Sequence, residues 1–131
     1  MSGALVIGYG NPLCGDDGFG WVVAEALRAH HPPAQVIITQ QLHPELAEAI
    51  AKAAQVIFLD IQVAGQPGEL WLTALTPAAE MGASATTHHL SPAHLLAWAA
   101  LVYGAAPPAT LLSVTGACFD LGADLSPAVR A

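Results

Sequence analysis

The feature that most constrains the fold is an apolar run near the N-terminus that leads into a glycine-rich turn and a second apolar segment. Residues 4–8 are apolar and end in glycine, a pattern typical of a buried strand. Gly10, Asn11 and Pro12 then predict a tight turn, and residues 21–27 have the composition of a helix. A strand, a turn and a helix form the first half of a βαβ unit. Ligands of such units lie beyond the carboxyl ends of the strands.

Two adjacent carboxylates, Asp16 and Asp17, precede the predicted first helix. A helix N-terminus favours negative charge, so each of them is a candidate cap. Neighbouring helical residues point about 100° apart, so only one of the two can cap while the other faces elsewhere. We therefore assign Asp16 to the cap and Asp17 to the cleft.

The glycine-rich turn differs from a dinucleotide-binding fingerprint. Gly8 and Gly10 begin like G-x-G-x-x-G, but Leu13 occupies the third glycine position. The acidic pair then stands where a pyrophosphate would need bare backbone amides. Dinucleotide binding is not expected.

Length and composition predict a single domain over residues 1–131. Hydrophobic residues make up 54% of the chain and charged residues 10%, which excludes disorder. A net charge of −7 argues against nucleic acid and anionic membranes as partners. The chain shows no signal-peptide pattern and no apolar run near the roughly 20 residues of a membrane span. Cys14 and Cys118 form no C-x-x-C pair. We expect a cytoplasmic protein.

The rest of the chain alternates between strand and helix patterns. Strands are predicted at 36–39, 55–60, 69–75 and 110–114, with the third of these at a sheet edge. Helices are predicted at 44–54 and from Ser91 to Tyr103, with Ser91 as cap and Pro92 in the first turn. This alternation predicts a three-layer α/β/α sandwich with a mostly parallel, roughly five-stranded sheet.

Chemistry-bearing side chains converge on one edge of the predicted sheet. Right-handed crossovers bring the ends of the first and third strands to the same edge, so Asp17 should meet Asp60 there. A loop that ends in His88 and His89 can close over that edge. Two carboxylates and one imidazole can hold a transition metal and leave coordination positions open. Spacing does not decide between the two histidines, and His94 in the following helix is a weaker candidate.

The same residues carry a family resemblance. The opening motif of the hydrogenase maturation endopeptidases resembles Gly8-x-Gly10-Asn11-x-Leu13-x-x-Asp16-Asp17-Gly18-x-Gly20. These enzymes remove the C-terminal extension of the nickel–iron hydrogenase large subunit. The resemblance continues through Asp60, Thr87-His88-His89-Leu90-Ser91 and Leu125-Ser126-Pro127. It implies a peptide-bond hydrolase whose partner is the hydrogenase large-subunit precursor.

The resemblance also implies a ligand set. In that family the second acid of the pair, the strand-end aspartate and a loop histidine contact nickel, which here gives Asp17, Asp60 and His88 as the catalytic and metal-contacting residues. The family histidine stands one residue after a Ser or Thr and two before a Leu, which selects His88 over His89. The nickel is carried by the substrate, so weak binding of free metal is expected. Family members continue through a full helix after the Ser-Pro, so we expect most of that helix to be missing from this chain, which ends at Ala131.

Three other functions fit parts of the pattern. A nickel-binding maturation chaperone would use the same ligands without catalysis. A receiver-like signalling domain would bind Mg²⁺ with similarly placed acids, but it needs a cation near the end of the last strand, and residues 112–120 contain no Lys or Arg. A cysteine hydrolase would pair Cys14 with His88. Spacing fixes no such contact, so we interpret Cys14 as a small loop residue.

Overall fold

The computed structural model describes residues 4–10, 15–30, 35–62, 66–76 and 91–116, which contain five strands, three α-helices and one 3-10 turn. The strands are β1 (Ala4–Tyr9), β2 (Gln35–Thr39), β3 (Gln55–Gln62), β4 (Leu70–Leu75) and β5 (Ala109–Thr115). The helices are α1 (Phe19–His30), α2 (Leu46–Lys52) and α3 (Pro92–Tyr103). The 3-10 turn Gly15–Gly18 carries both neighbouring aspartates and is called the acidic turn below. None of the described helices is long and apolar enough to cross a membrane.

The five strands form one sheet in the order β2-β1-β3-β5-β4. All neighbouring strands are parallel except β4, which runs antiparallel to β5 at the edge of the sheet. The predicted α/β fold with a mostly parallel sheet is confirmed, and so is the edge position of β4. The parallel strands β1, β3 and β5 end on the same side, at Tyr9, Gln62 and Thr115, and we call this side the carboxyl edge.

Helices cover both faces of the sheet. Side chains of β1 alternate, so Leu5 and Ile7 face one side and Val6 faces the other. On the first side, α2 and α3 complete the larger core cluster with the following side chains: Leu46, Ala47, Ile50, Leu95, Leu96 and Ala99. On the other side, α1 packs Ala24 against Val6 and Leu59. The result is the three-layer arrangement that the alternating pattern predicts.

Two glycines bring the start of α1 directly onto the sheet. A Cβ atom on Gly20 would lie 2.7 Å from the carbonyl oxygens of both Leu59 and Tyr9, so only glycine fits there without displacement. A Cβ atom on Gly8 would lie 2.7 Å from Cβ of Ala24. This close approach holds the beginning of α1, and with it the acidic turn, against the ends of β1 and β3.

Several element boundaries differ from the predicted ones, and two of the differences have a clear cause in the structure. The third strand was expected to end at Asp60 but continues to Gln62, because β5 keeps pairing with it that far. The second helix was expected over 44–54 but covers only Leu46–Lys52. It stops early because Ala53 is already extended, with ψ 152°, as the chain turns toward β3.

The third helix begins as predicted. Ser91 is its N-cap, and the Ser91 side chain accepts a hydrogen bond of 3.1 Å from the backbone N–H of His94. The helix ends before Gly104, which takes the left-handed conformation with φ 77°. A short connection then leads to the start of β5. Because the end of α3 lies near the beginning of β5, the start of α3 points to the carboxyl edge.

Candidate functional site

Asp60 lies near the end of β3, half-buried at the carboxyl edge. One oxygen of its carboxylate, Oδ2, accepts a hydrogen bond of 2.9 Å from the Tyr9 hydroxyl. The other, Oδ1, accepts one of 2.7 Å from the backbone N–H of Ile61. These two bonds restrain the orientation of the carboxylate.

The pairing of Tyr9 with Asp60 follows from the strand register. β1 and β3 are parallel neighbours in which Gly8 lies opposite Leu59, so the next residues along both strands are also side by side. Since side chains alternate along a strand, Tyr9 faces the same side of the sheet as Leu5 and Ile7. Tyr9 packs against that larger core cluster. The tyrosine–carboxylate pair therefore stands at the margin of the core.

The environment of Tyr9 keeps its hydroxyl protonated. Burial raises the pKa of the Tyr9 phenol far above its ordinary value, and the negative charge of Asp60 and the hydrogen bond to it raise it further. A neutral phenol donates its only proton to the best acceptor within reach. Tyr9 therefore acts as a permanent hydrogen-bond donor to Asp60 at physiological pH.

Further polar groups continue this side of the sheet onto β5 and β4. Ser113 is the register partner of Asp60 and is buried. Thr115 is also buried, and its hydroxyl accepts a hydrogen bond of 3.1 Å from the indole N–H of Trp71. The carboxyl edge therefore carries a strip of polar groups across β1, β3, β5 and β4, next to the apolar core.

This polar strip was missed in the sequence analysis. The signal available was weak: a tyrosine directly after Gly8, and two hydroxyl residues, Ser113 and Thr115, near the end of the last strand. None of these positions points to a partner until the order and register of the strands are known.

The acidic turn lies at the same edge, where it contacts β3. Asp16 is fully buried, which agrees with a structural role for it and not with a place in the cleft. Its expected position as helix cap needs correction. The α-helix begins only at Phe19, so Asp16 lies inside the 3-10 turn that precedes the helix. The backbone of Asp17 lies in this turn, and its side chain is outside what the structure describes.

The remaining predicted ligand, His88, falls outside the described residues, as do His89 and Cys14. Among the residues that are described, no group of three or more His, Cys, Asp or Glu side chains could hold a metal ion. The constellation of Asp17, Asp60 and His88 therefore stays a prediction. His94, the weaker candidate, has its Nδ1 2.7 Å from the Ser91 hydroxyl and belongs to the start of α3.

Comparison with family models and with curated proteins finds no match. Solved structures do match. The hydrogenase maturating endopeptidase HybD from E. coli is 24% identical, with a TM-score of 0.75, over 99% of this chain and 83% of that one. The hydrogenase 2 maturation peptidase of a Thaumarchaeota archaeon is 29% identical, with a TM-score of 0.69, over 97% of this chain and 88% of that one.

A third structure agrees with these two. The [NiFe] hydrogenase maturation protease HycI from Thermococcus kodakarensis is 23% identical, with a TM-score of 0.75, over 97% of this chain and 82% of that one. The similarity in each case spans nearly the whole chain, including the strands that form the carboxyl edge. The family resemblance expected from the sequence motifs is confirmed, together with the fold.

Proposed function

We propose that this chain, whose fold matches that of the hydrogenase maturation endopeptidases and whose opening motif resembles theirs, is itself such an endopeptidase. It removes the C-terminal extension of a nickel–iron hydrogenase large-subunit precursor after nickel has been inserted. We also propose that the protein is cytoplasmic, as expected from the sequence. The observation that supports a site at the carboxyl edge is the half-buried carboxylate of Asp60, which Tyr9 and Ile61 orient beside the acidic turn.

The proposal assigns recognition of the substrate's nickel to Asp17, Asp60 and His88. Two carboxylates and an imidazole form an oxygen and nitrogen donor set that suits a borderline divalent metal. In this proposal the three side chains supply only part of the nickel coordination, since the precursor's own ligands already hold the metal. Weak affinity for free nickel follows, because three side chains on their own leave coordination positions open.

Chain connectivity supports His88 as the third member of the set. The start of α3 points to the carboxyl edge, and His88 precedes the N-cap Ser91 by three residues. A chain spans at most about 3.6 Å per residue, so three residues can reach about 11 Å from the start of α3. This reach is compatible with the assignment of His88 to the same edge as Asp60.

The three side chains are proposed to act by docking and orientation. They hold the metal-bearing part of the precursor at the carboxyl edge, which places the adjacent peptide in a fixed position for attack by water. The substrate's nickel supplies Lewis acidity to a carbonyl or a water molecule. Asp60 orients the metal-bearing part of the precursor best if its carboxylate does not rotate. Its hydrogen bonds to Tyr9 and Ile61 provide that restraint.

The proposal is tested by incubating the purified chain with nickel-loaded and nickel-free large-subunit precursor and measuring the mass of the precursor tail. We expect release of the C-terminal extension from the nickel-loaded form only. Equal processing of both forms would contradict nickel recognition. Binding of the nickel-loaded precursor without any cleavage would indicate the maturation chaperone instead.

A further inference from the structure

Tyr9 holds the Asp60 carboxylate from the neighbouring strand β1. The two residues are 51 positions apart in sequence, and their side-chain oxygens are 2.9 Å apart. The second restraint on the carboxylate, from the Ile61 N–H, comes from the very next residue of β3. Tyr9 therefore supplies a restraint on this carboxylate from a distant part of the chain.

We propose that Tyr9 is a positioning residue for Asp60, whose hydroxyl fixes the rotation of the carboxylate so that Asp60 meets substrate-borne nickel in one orientation. This inference rests on the proposed function and deepens it. Tyr9 does not contact substrate itself in this account. It acts through Asp60.

The physical reason lies in the torsion of the aspartate side chain. The last torsion of an aspartate has a broad, nearly two-fold energy profile, so an unrestrained carboxylate samples many rotations. A hydrogen bond to each oxygen removes this freedom. Charge-assisted hydrogen bonds are the stronger class, so the Tyr9 hydroxyl is an effective restraint. A carboxylate held in one orientation keeps the docked, metal-bearing part of the substrate, and with it the adjacent peptide, aligned for attack by water.

Tyr9 is itself well anchored. Its backbone is part of the ladder between β1 and β2, where it lies opposite Thr39. The following residue, Gly10, donates its backbone N–H toward the carbonyls of Thr39 and Gln40, at 3.3 and 3.1 Å. The ring packs against the larger core cluster. The hydroxyl is thus carried on a rigid support, as a positioning role requires.

The test uses Tyr9→Phe, which keeps the ring and removes only the hydroxyl. The chain offers a matched control in Tyr103→Phe, because Tyr103 is exposed at the end of α3. With nickel-loaded precursor, we expect Tyr9→Phe to lower kcat about tenfold with little change in KM, since most of the docking surface is unaltered. Tyr103→Phe should match the wild type. Both variants are compared at equal folded fraction, checked by urea unfolding.

Two further measurements separate positioning from a general packing effect. In an Asp60→Asn background, Tyr9→Phe should cause no additional loss, because the group it positions is already altered. In the metal-free protein, the ¹³Cγ resonance of Asp60 should shift or broaden in Tyr9→Phe and stay unchanged in Tyr103→Phe. The resonance needs no substrate, so it reports on positioning even if the chain cleaves no precursor.

Each outcome of these measurements either supports or overturns the positioning role of Tyr9. Wild-type cleavage and an unchanged Asp60 resonance in Tyr9→Phe would overturn the positioning role. An equal loss of activity with and without Asp60 would overturn it as well, because Tyr9 would then act by another route. A changed resonance in a protein that processes no precursor would support positioning by Tyr9 and refute the proposed proteolysis alone.

Discussion

The tight contact between α1 and the sheet makes a quantitative prediction for Gly20→Ala. The added Cβ would lie 2.7 Å from the carbonyl oxygens of Leu59 and Tyr9 and 2.8 Å from the backbone nitrogen of Tyr9. All three atoms are backbone atoms of central strands, so none of them can rotate away. The start of α1 must therefore move off β1 and β3 by several tenths of an ångström.

The expected loss of stability combines two opposing effects. Overpacking of a well-packed core costs about 1–3 kcal/mol, and contact with rigid backbone on two strands puts this case near the upper value. Alanine in a helix is favoured over glycine by about 1 kcal/mol, which offsets part of the loss. We expect the free energy of unfolding to fall by about 2 kcal/mol.

Urea unfolding monitored by circular dichroism measures this change as a lower midpoint at similar slope. Gly104→Ala is the matched control, since a Cβ there meets nothing within 4 Å and only the left-handed backbone with φ 77° opposes it. That control should lose about 1 kcal/mol. An unchanged or increased stability of Gly20→Ala would refute the close-packing argument.

Three further predictions concern Tyr9, Cys14 and Asp16. Since Tyr9 stays protonated in the folded chain but ionises near pH 10 when unfolded, stability is retained below about pH 10 and falls as the pH rises above it, a loss that urea unfolding should find smaller in Tyr9→Phe. Cys14→Ala should cleave nickel-loaded precursor at the wild-type rate, and complete loss of cleavage in a folded variant would revive the cysteine-hydrolase alternative. Asp16→Asn, at a fully buried position, should cleave at close to the wild-type rate when compared at equal folded fraction, and a loss as large as that of Asp60→Asn would refute its structural role.

The order of elements was predictable from the sequence because local patterns determine it. Short apolar runs bounded by Gly, Pro and polar residues mark the strands, and alternation with helices predicts the parallel sheet. The start of α3 was predictable to the residue, since Ser91 followed by Pro92 is a strong local signal for a helix start.

Features that depend on pairing between distant strands were not predictable. The hydrogen bond between Tyr9 and Asp60 requires the register of β1 on β3, and the continuation of β3 to Gln62 requires β5 beside it. The contact between Trp71 and Thr115 likewise needs the antiparallel placement of β4. The sequence identified Asp60 as a candidate, whereas the groups that orient it became visible only in the folded chain.

In the proposed function, Asp60 takes part in recognising nickel carried by the substrate. The most direct measurement compares Asp60→Asn with the wild type in cleavage of nickel-loaded precursor, because asparagine keeps the size of the side chain and removes its charge. Glu45→Gln removes one negative charge at a highly exposed side chain and serves as the control. We predict that Asp60→Asn remains folded and loses most nickel-dependent cleavage, while Glu45→Gln cleaves like the wild type. Equal cleavage by all three proteins would contradict the account.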